Sequence, residues 1–205
     1  MNEDYGIARW HVEASEELLD ARIFKVMRNR SRSADGARTA EFYVLDSPDW
    51  VSVIPVTTDD QVLMVAQYRH GSSQIALEIP AGLIDQDEDL LDAAARELRE
   101  ETGYTAQRLR VLTQTDANPA FMSNRFTAVL AEGCTQTDPT AWDEHEEIEP
   151  VLVPLADLPD LLRSGKIRNT YSVLPLCWYL WERSVSEQVS AMTDHSPRSL
   201  PSLED

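Results

Sequence analysis

Gly82-Leu83-Ile84-Asp85-Gln86-Asp87-Glu88-Asp89-Leu90-Leu91-Asp92-Ala93-Ala94-Ala95-Arg96-Glu97-Leu98-Arg99-Glu100-Glu101-Thr102-Gly103-Tyr104 combines a helical period with a cluster of glutamates. Over residues 89–102, Leu91 and Leu98 with Ala94 and Ala95 between them mark one face of a helix, and Gly103 supplies a left-handed stop. Glu97, Glu100 and Glu101 fall at i, i+3 and i+4, so their carboxylates converge on one side. At about 100° per residue, Glu97 and Glu101 lie beside the apolar stripe and Glu100 lies further round, at the edge of the core. Like charges so placed repel by roughly a few tenths of a kcal/mol per pair in water, and more where water is excluded. A hard cation offsets that repulsion, and oxygen-only donors suit Mg²⁺, with Mn²⁺ as a substitute. For a glutamate trio taken alone, a solvated acidic face is the competing reading. Its surroundings favour the metal: Pro80-Ala81-Gly82 leads in with backbone carbonyls to offer, and Glu88 and Arg96 carry opposite charges that can brace the segment.

The period changes on both sides of this helix. Residues 21–27 and 40–45 form strand-like runs separated by a polar stretch and read as an antiparallel hairpin. Residues 50–57 and 62–68 form a second pair, and residues 75–80 a third short run. Strand-like runs return at 109–114, 126–131 and 151–153, followed by helical segments at 155–164 and 171–183. Beyond residue 183 the chain is rich in Ser, Pro and charge. The expected organisation is an N-terminal antiparallel element over 1–45, one α/β or α+β domain over 46–185 built on a mixed sheet with helices, and a disordered tail over 186–205.

Composition narrows the function class. Thirty-six acidic against 18 basic residues give a formal net charge of -18, which disfavours nucleic-acid binding but leaves room for a small anion beside a metal and a few arginines. Cys134 and Cys177 are far apart with no CxxC spacing, and are expected to be two free buried thiols. The N-terminal residues lack a targeting pattern and no run is long enough to cross a membrane, so a cytoplasmic protein without membrane partners is expected.

The quoted segment resembles the Nudix box: Gly, five residues, Glu, seven residues, Arg-Glu-apolar-any-Glu-Glu-any-Gly-apolar. All the fixed positions are filled, with Tyr104 as a slightly unusual last member. A chance match in such a chain is on the order of one in ten million from ordinary residue frequencies. The resemblance implies the Nudix fold, a mixed sheet sandwiched between helices, and a pyrophosphohydrolase acting on a nucleoside diphosphate linked to another group. Carried over by position, Glu97, Glu100 and Glu101 would bind the metal, the Ala81 carbonyl would complete the site, and Glu88 and Arg96 would be structural.

Flanking residues resemble the ADP-ribose pyrophosphatase branch and its nucleotide-sugar relatives. Gln67-Tyr68-Arg69 ends a strand, Leu77-Glu78-Ile79-Pro80-Ala81-Gly82 leads into the box, and Pro119 stands 16 residues after Gly103. Arg69 is expected to clamp a phosphate with its planar fork, with a surface salt bridge as the alternative; Glu78 either meets nucleotide or metal-bound water or pairs with Arg69. Phe121 and Met122, in Phe121-Met122-Ser123-Asn124-Arg125, depart from the Gly-containing loop common after that proline, which tells against strict ADP-ribose specificity. In this branch an acidic loop often supplies a water-activating glutamate; Glu144, Glu146 and Glu147 are the candidates here, and the lone His145 is left out of the mechanism. Trp50 and Tyr68 are either base-stacking groups or core, while Trp178, Tyr179 and Trp181 are expected to pack over the sheet. The branch also implies a homodimer built by the N-terminal strands, which bury too little alone. Competing classes are a non-catalytic ADP-ribose-sensing module, against which the intact glutamates argue, and a Nudix enzyme for dinucleoside polyphosphates or coenzyme A, whose signatures are missing.

Overall fold

The computed structural model describes residues 5–142 and 147–193. The N-terminal segment forms three antiparallel strands, β1 (Trp10–Asp20), β2 (Lys25–Ser33) and β3 (Thr39–Asp46), in the order β1-β2-β3. The expected hairpin is therefore joined by a third strand, and β1 is the longest of the three at 11 residues.

Eight further strands make the main sheet: β4 (Trp50–Thr57), β5 (Gln61–Arg69), β6 (Gln74–Glu78), β7 (Ala81–Leu83), β8 (Tyr104–Thr105), β9 (Arg108–Asp116), β10 (Arg125–Gln136) and β11 (Ile148–Pro154). Its central order is β11-β5-β4-β10-β8, with β6 on β5, β7 on β4 and β9 on β10. The sheet is mixed because β10 runs parallel to β4 while its other pairs are antiparallel.

Helices on both faces explain the unbroken apolar runs of the central strands, since each strand buries alternate residues in opposite directions. On one face Val51, Val53, Leu63 and Val129 pack with Ala93, Ala94 and Leu98 of α1 (Leu90–Thr102). The opposite core joins Ile54, Val56, Met64 and Leu130 to Leu158 of α2 (Leu158–Arg163) and to Leu176 and Tyr179 of α3 (Thr170–Thr193). Ala93 takes the inward place given to Ala95 by the sequence, and Ala95 is exposed. The segment 155–164 divides into a 3-10 turn, Leu155–Asp157, and α2, with Pro159 in the first turn of the helix.

α3 departs from expectation twice. It continues to Thr193, past residue 186 where the tail was expected to start, helped by the Arg183–Glu187 pair at i, i+4; residues 194–205 lie outside the described residues. Tyr179 and Leu176 face the core, but Trp178 and Trp181 are 39% and 60% exposed, because one side of the helix suffices to cover the sheet. Cys177, on the same outward part of the helix, is exposed, which corrects its placement in the core. Cys134 is buried as expected, and burial pushes its thiol up to about 11.

Candidate active site

Capping fixes where α1 starts and stops. The Asp89 side chain accepts from Leu91 N at 2.8 Å, and Gly103 adopts φ 74°, with its N–H donating to the Arg99 carbonyl. Glu97, Glu100 and Glu101 therefore occupy the last turns, with Leu98 anchored below them in the core. Glu101 is 5% exposed and accepts from Ala81 N at 3.2 Å, which ties the helix to β7. That contact gives β7 a second anchor besides its pairing with β4.

Arg96 organises the rest of the box. Its Nε and Nη2 donate to the two Glu88 oxygens, each at 2.9 Å, and Nη2 also reaches the Leu83 carbonyl at 3.0 Å. This two-pronged bond holds the Glu88 carboxyl below the usual glutamate range and raises Arg96 above its own. Nη1 goes to Glu97 at 2.7 Å and to Glu100 at 3.3 Å, contacts absent from the sequence reading. Among the described residues, no three His, Cys, Asp or Glu side chains already form a site for one ion.

The donor set nonetheless fits a hard divalent cation. The three glutamates line one cavity of about 490 Å³ with Ala81 and Gly82. A Cβ added at Gly82 would lie 2.0 Å from Glu97 Oε1, so the box glycine leaves the space this carboxylate fills. Arg96 holds Glu88 through Nε and Nη2, separately from the Nη1 that Glu97 and Glu100 share.

In the lining of the same cavity, Glu78 is 2% exposed and accepts from both Arg69 Nε, at 3.1 Å, and Nη2, at 2.6 Å. Of the roles open to Glu78, this structure shows the pairing with Arg69. The pair costs desolvation and presets the guanidinium plane at the cavity wall.

The other predicted residues divide. Phe121 and Met122 do not line this cavity: the turn at Asn118 and Pro119 carries them onto the N-terminal sheet, where Leu45 N donates to the Phe121 carbonyl at 2.8 Å and Leu45 bridges Met122. Glu147 is exposed just before β11, and Glu144 and Glu146 lie outside the described residues. The acidic loop nevertheless starts at the site, since Ala141 N donates to the Glu100 carbonyl at 2.9 Å and Trp142 Nε1 to the Glu101 carbonyl at 3.2 Å.

Sequence reasoning missed the wall supplied by α3. Tyr171, Asn169 and Ser172 line the cavity. Ser172 Oγ accepts from Ile79 N at 3.1 Å, locking the helix to the lead-in of the box. Tyr171 packs between Trp50 and Phe126, with ring centroids at 5.2 and 4.8 Å, and burial raises its phenol. These residues lie far along the chain from the box, and no local spacing links them to it. Ile23, in the turn between β1 and β2, also reaches the cavity.

A mixed sheet clamped between helices, with a carboxylate-bearing helix opening on a polar cleft beside an arginine, defines a pyrophosphohydrolase of the Nudix class. Residues 47–174 match the NUDIX domain, and the chain belongs to the Nudix family. It is 27% identical over 161 residues to the methanol dehydrogenase activator of Bacillus methanolicus, covering 78% of this chain and 86% of that one. It is 29% identical over 155 residues to the ADP-ribose pyrophosphatase of Bacillus subtilis (strain 168), covering 75% and 83%. The crystal structure of an ADP compounds hydrolase superposes with a TM-score of 0.75 at 26% identity, covering 88% of this chain and 96% of that one. The chain is thus a Nudix pyrophosphohydrolase related to the ADP-ribose pyrophosphatases, a family that generally requires divalent cations, and no helix among its described residues is long and apolar enough to cross a membrane.

Proposed function

We propose that the chain hydrolyses the pyrophosphate bond of ADP-ribose or a related nucleoside diphosphate sugar with Mg²⁺, releasing a nucleoside monophosphate and a sugar phosphate. The observation that carries this reading is the lining of one cavity by two opposite chemistries: Glu97, Glu100 and Glu101 on α1, and the Arg69 guanidinium set by Glu78. When bound, the cation neutralises the diphosphate and activates water. Glu97, Glu100 and Glu101, with the Ala81 carbonyl, hold it. Arg69 grips a phosphate oxygen, and Trp50 and Tyr171 exclude water from the inner wall. The loop tied to α1 through Trp142 supplies the general base from among Glu144, Glu146 and Glu147.

The N-terminal sheet adds two further proposals. It joins two chains into a homodimer, and Phe121 and Met122 act on substrate choice through it, because the strand they brace belongs to the sheet whose Ile23 reaches the cavity. Met122→Ala is expected to reorder catalytic efficiencies among nucleotide sugars; an equal drop for all of them ends that assignment.

The hydrolytic assignment is tested by incubating the full chain with MgCl₂ and ADP-ribose, nucleotide sugars, NADH, coenzyme A or diadenosine polyphosphates, and resolving the products by anion-exchange chromatography. Release of a nucleoside monophosphate from ADP-ribose or a nucleotide sugar is expected. No cleavage of those two classes removes the reading.

A further inference from the structure

A second cavity, of about 620 Å³, adjoins the first and shares Arg69, Glu78 and Tyr171 with it. Its size falls within the range of about 300–1,000 Å³ usual for small-molecule sites. In a chain with 36 acidic and 18 basic residues, its walls invert the ratio: Arg69, Lys166 and Arg168 face a single carboxylate, Glu78, already bonded to Arg69. Lys166 and Arg168 have no carboxylate in ion-pair contact among the described residues; Arg168 Nη1 donates only to the neutral amide oxygen of Gln74, at 2.9 Å. Lys166 and Arg168 are exposed residues that line this concavity without counter-charge, and on a protein of formal net charge -18 such a cluster of cations marks a place for an anion.

The same cavity carries aromatic faces. Tyr68, 52% exposed and with His70 edge-on at 5.1 Å, lines it together with Trp50. Aromatic faces beside unpaired cations suit a nucleoside whose ribose is phosphorylated.

We propose that this second cavity is an anion subsite that receives a phosphate monoester on the nucleoside ribose of the substrate, held by Lys166 and Arg168 while the diphosphate lies at Arg69. The inference rests on the hydrolytic reading above for the position of the diphosphate. The cation pair sits on the connection into α3, outside the box, so it acts on selection and leaves the chemistry untouched.

The test uses matched pairs that differ by one phosphate monoester: NADPH against NADH for the 2′ position, and coenzyme A against dephospho-coenzyme A for the 3′ position. Binding is measured by calorimetry on the full chain without added metal, so that cleavage does not intervene, for wild type and for the double variant Lys166→Met, Arg168→Met. Methionine retains an unbranched apolar stem of similar reach. The phosphorylated member of at least one pair should bind wild type about tenfold more tightly, as expected for charge-assisted hydrogen bonds. That advantage should vanish in the double variant, while its kcat/KM for ADP-ribose with Mg²⁺ stays within about twofold of wild type. The subsite is overturned if neither phosphate improves binding, or if the advantage survives in the double variant. Tighter binding of a phosphorylated member, with no hydrolysis of ADP-ribose or nucleotide sugars, supports the subsite and removes the hydrolytic reading. Hydrolysis without phosphate discrimination does the reverse.

Discussion

The two sheets of this protein are made of the same backbone geometry and held by different forces. In the main sheet, β4 and β5 bury side chains on both faces, so apolar area removed from water stabilises it twice over. In the N-terminal sheet every residue of β1 is exposed. One face carries cross-strand ion pairs, with Glu16 on Arg28 and Glu13 on Arg32. The register puts Trp10, Val12 and Phe42 on the other face, where Val12 and Phe42 remain 59% and 44% exposed and Trp10 meets Phe42 edge-on at 5.3 Å. A three-stranded sheet with no core of its own is marginal. The main sheet is thus held by burial on both of its faces, while the N-terminal sheet leaves an apolar face open to water in the single chain.

The largest expected effect tests whether chemistry belongs to the main sheet. In Glu101→Gln the amide oxygen still accepts from Ala81 N, so α1 stays tied to β7 while a charged ligand is lost. Turnover should fall on the order of 100-fold or more at limiting Mg²⁺, with the thermal midpoint little changed. Near-normal turnover would place the metal elsewhere.

Two truncations compare the forces directly. Leu63→Ala, at a side chain 1% exposed, should cost about 2–5 kcal/mol in chemical denaturation. Val12→Ala should cost less than about 0.5 kcal/mol when measured on monomers. Equal costs would mean that β1 is packed in the single chain. The complementary experiment is Val12→Lys with Phe42→Lys: the wild type should sediment as a dimer at micromolar concentration, and the charged variant as a monomer. A wild type that sediments as a monomer removes the homodimer.

Legibility in the sequence follows the same division. Strands buried on both faces print as unbroken apolar runs, and β4, β5 and β10 were readable for that reason. β1 was not. Its ladder shifts register between Val12 and Ala14 and again between Glu17 and Leu19, and each irregularity breaks the period of two that a strand reading needs. The glutamate trio was legible because helical spacing is local, whereas Tyr171 and Asn169 reach the cavity only through the docking of α3 at Ile79. The contact of Met122 with Leu45 was not legible for the same reason, since the two lie far apart in sequence.

A smaller effect separates the ion network of the box from the ladder of the N-terminal sheet. Glu88 is held below its ordinary value of 4.5 by Arg96, and the side chains are 18% and 25% exposed. A carboxylate with a depressed folded-state value stabilises the fold above its unfolded value, and that contribution is lost as pH falls through the folded-state value. Glu88→Gln should therefore lower stability at pH 7, on the order of 1 kcal/mol for charge-assisted bonds partly screened by water. The difference should start to shrink as pH falls below the ordinary value of 4.5 and should vanish once pH is below the depressed folded-state value. A difference that persists undiminished in strong acid would mean that packing, and not the Arg96 bond, holds Glu88.

The smallest effect is expected on the exposed ladder. Arg28 and Glu16 face water on side chains 38% and 57% exposed, where solvent screens the charges and ordering two flexible chains opposes their attraction. Single truncations confuse this pairing with the loss of the Arg28 stem beside Tyr43, its cross-strand partner. The clean measurement is a double-mutant cycle of Arg28→Ala and Glu16→Ala, read as thermal midpoints at low salt and at 1 M NaCl, where the screening length shrinks to about 3 Å. The coupling should be near zero in high salt and barely resolved in low salt. A coupling that survives 1 M NaCl would show that the ladder itself holds the N-terminal sheet, and the sheet would then need no second chain to cover it.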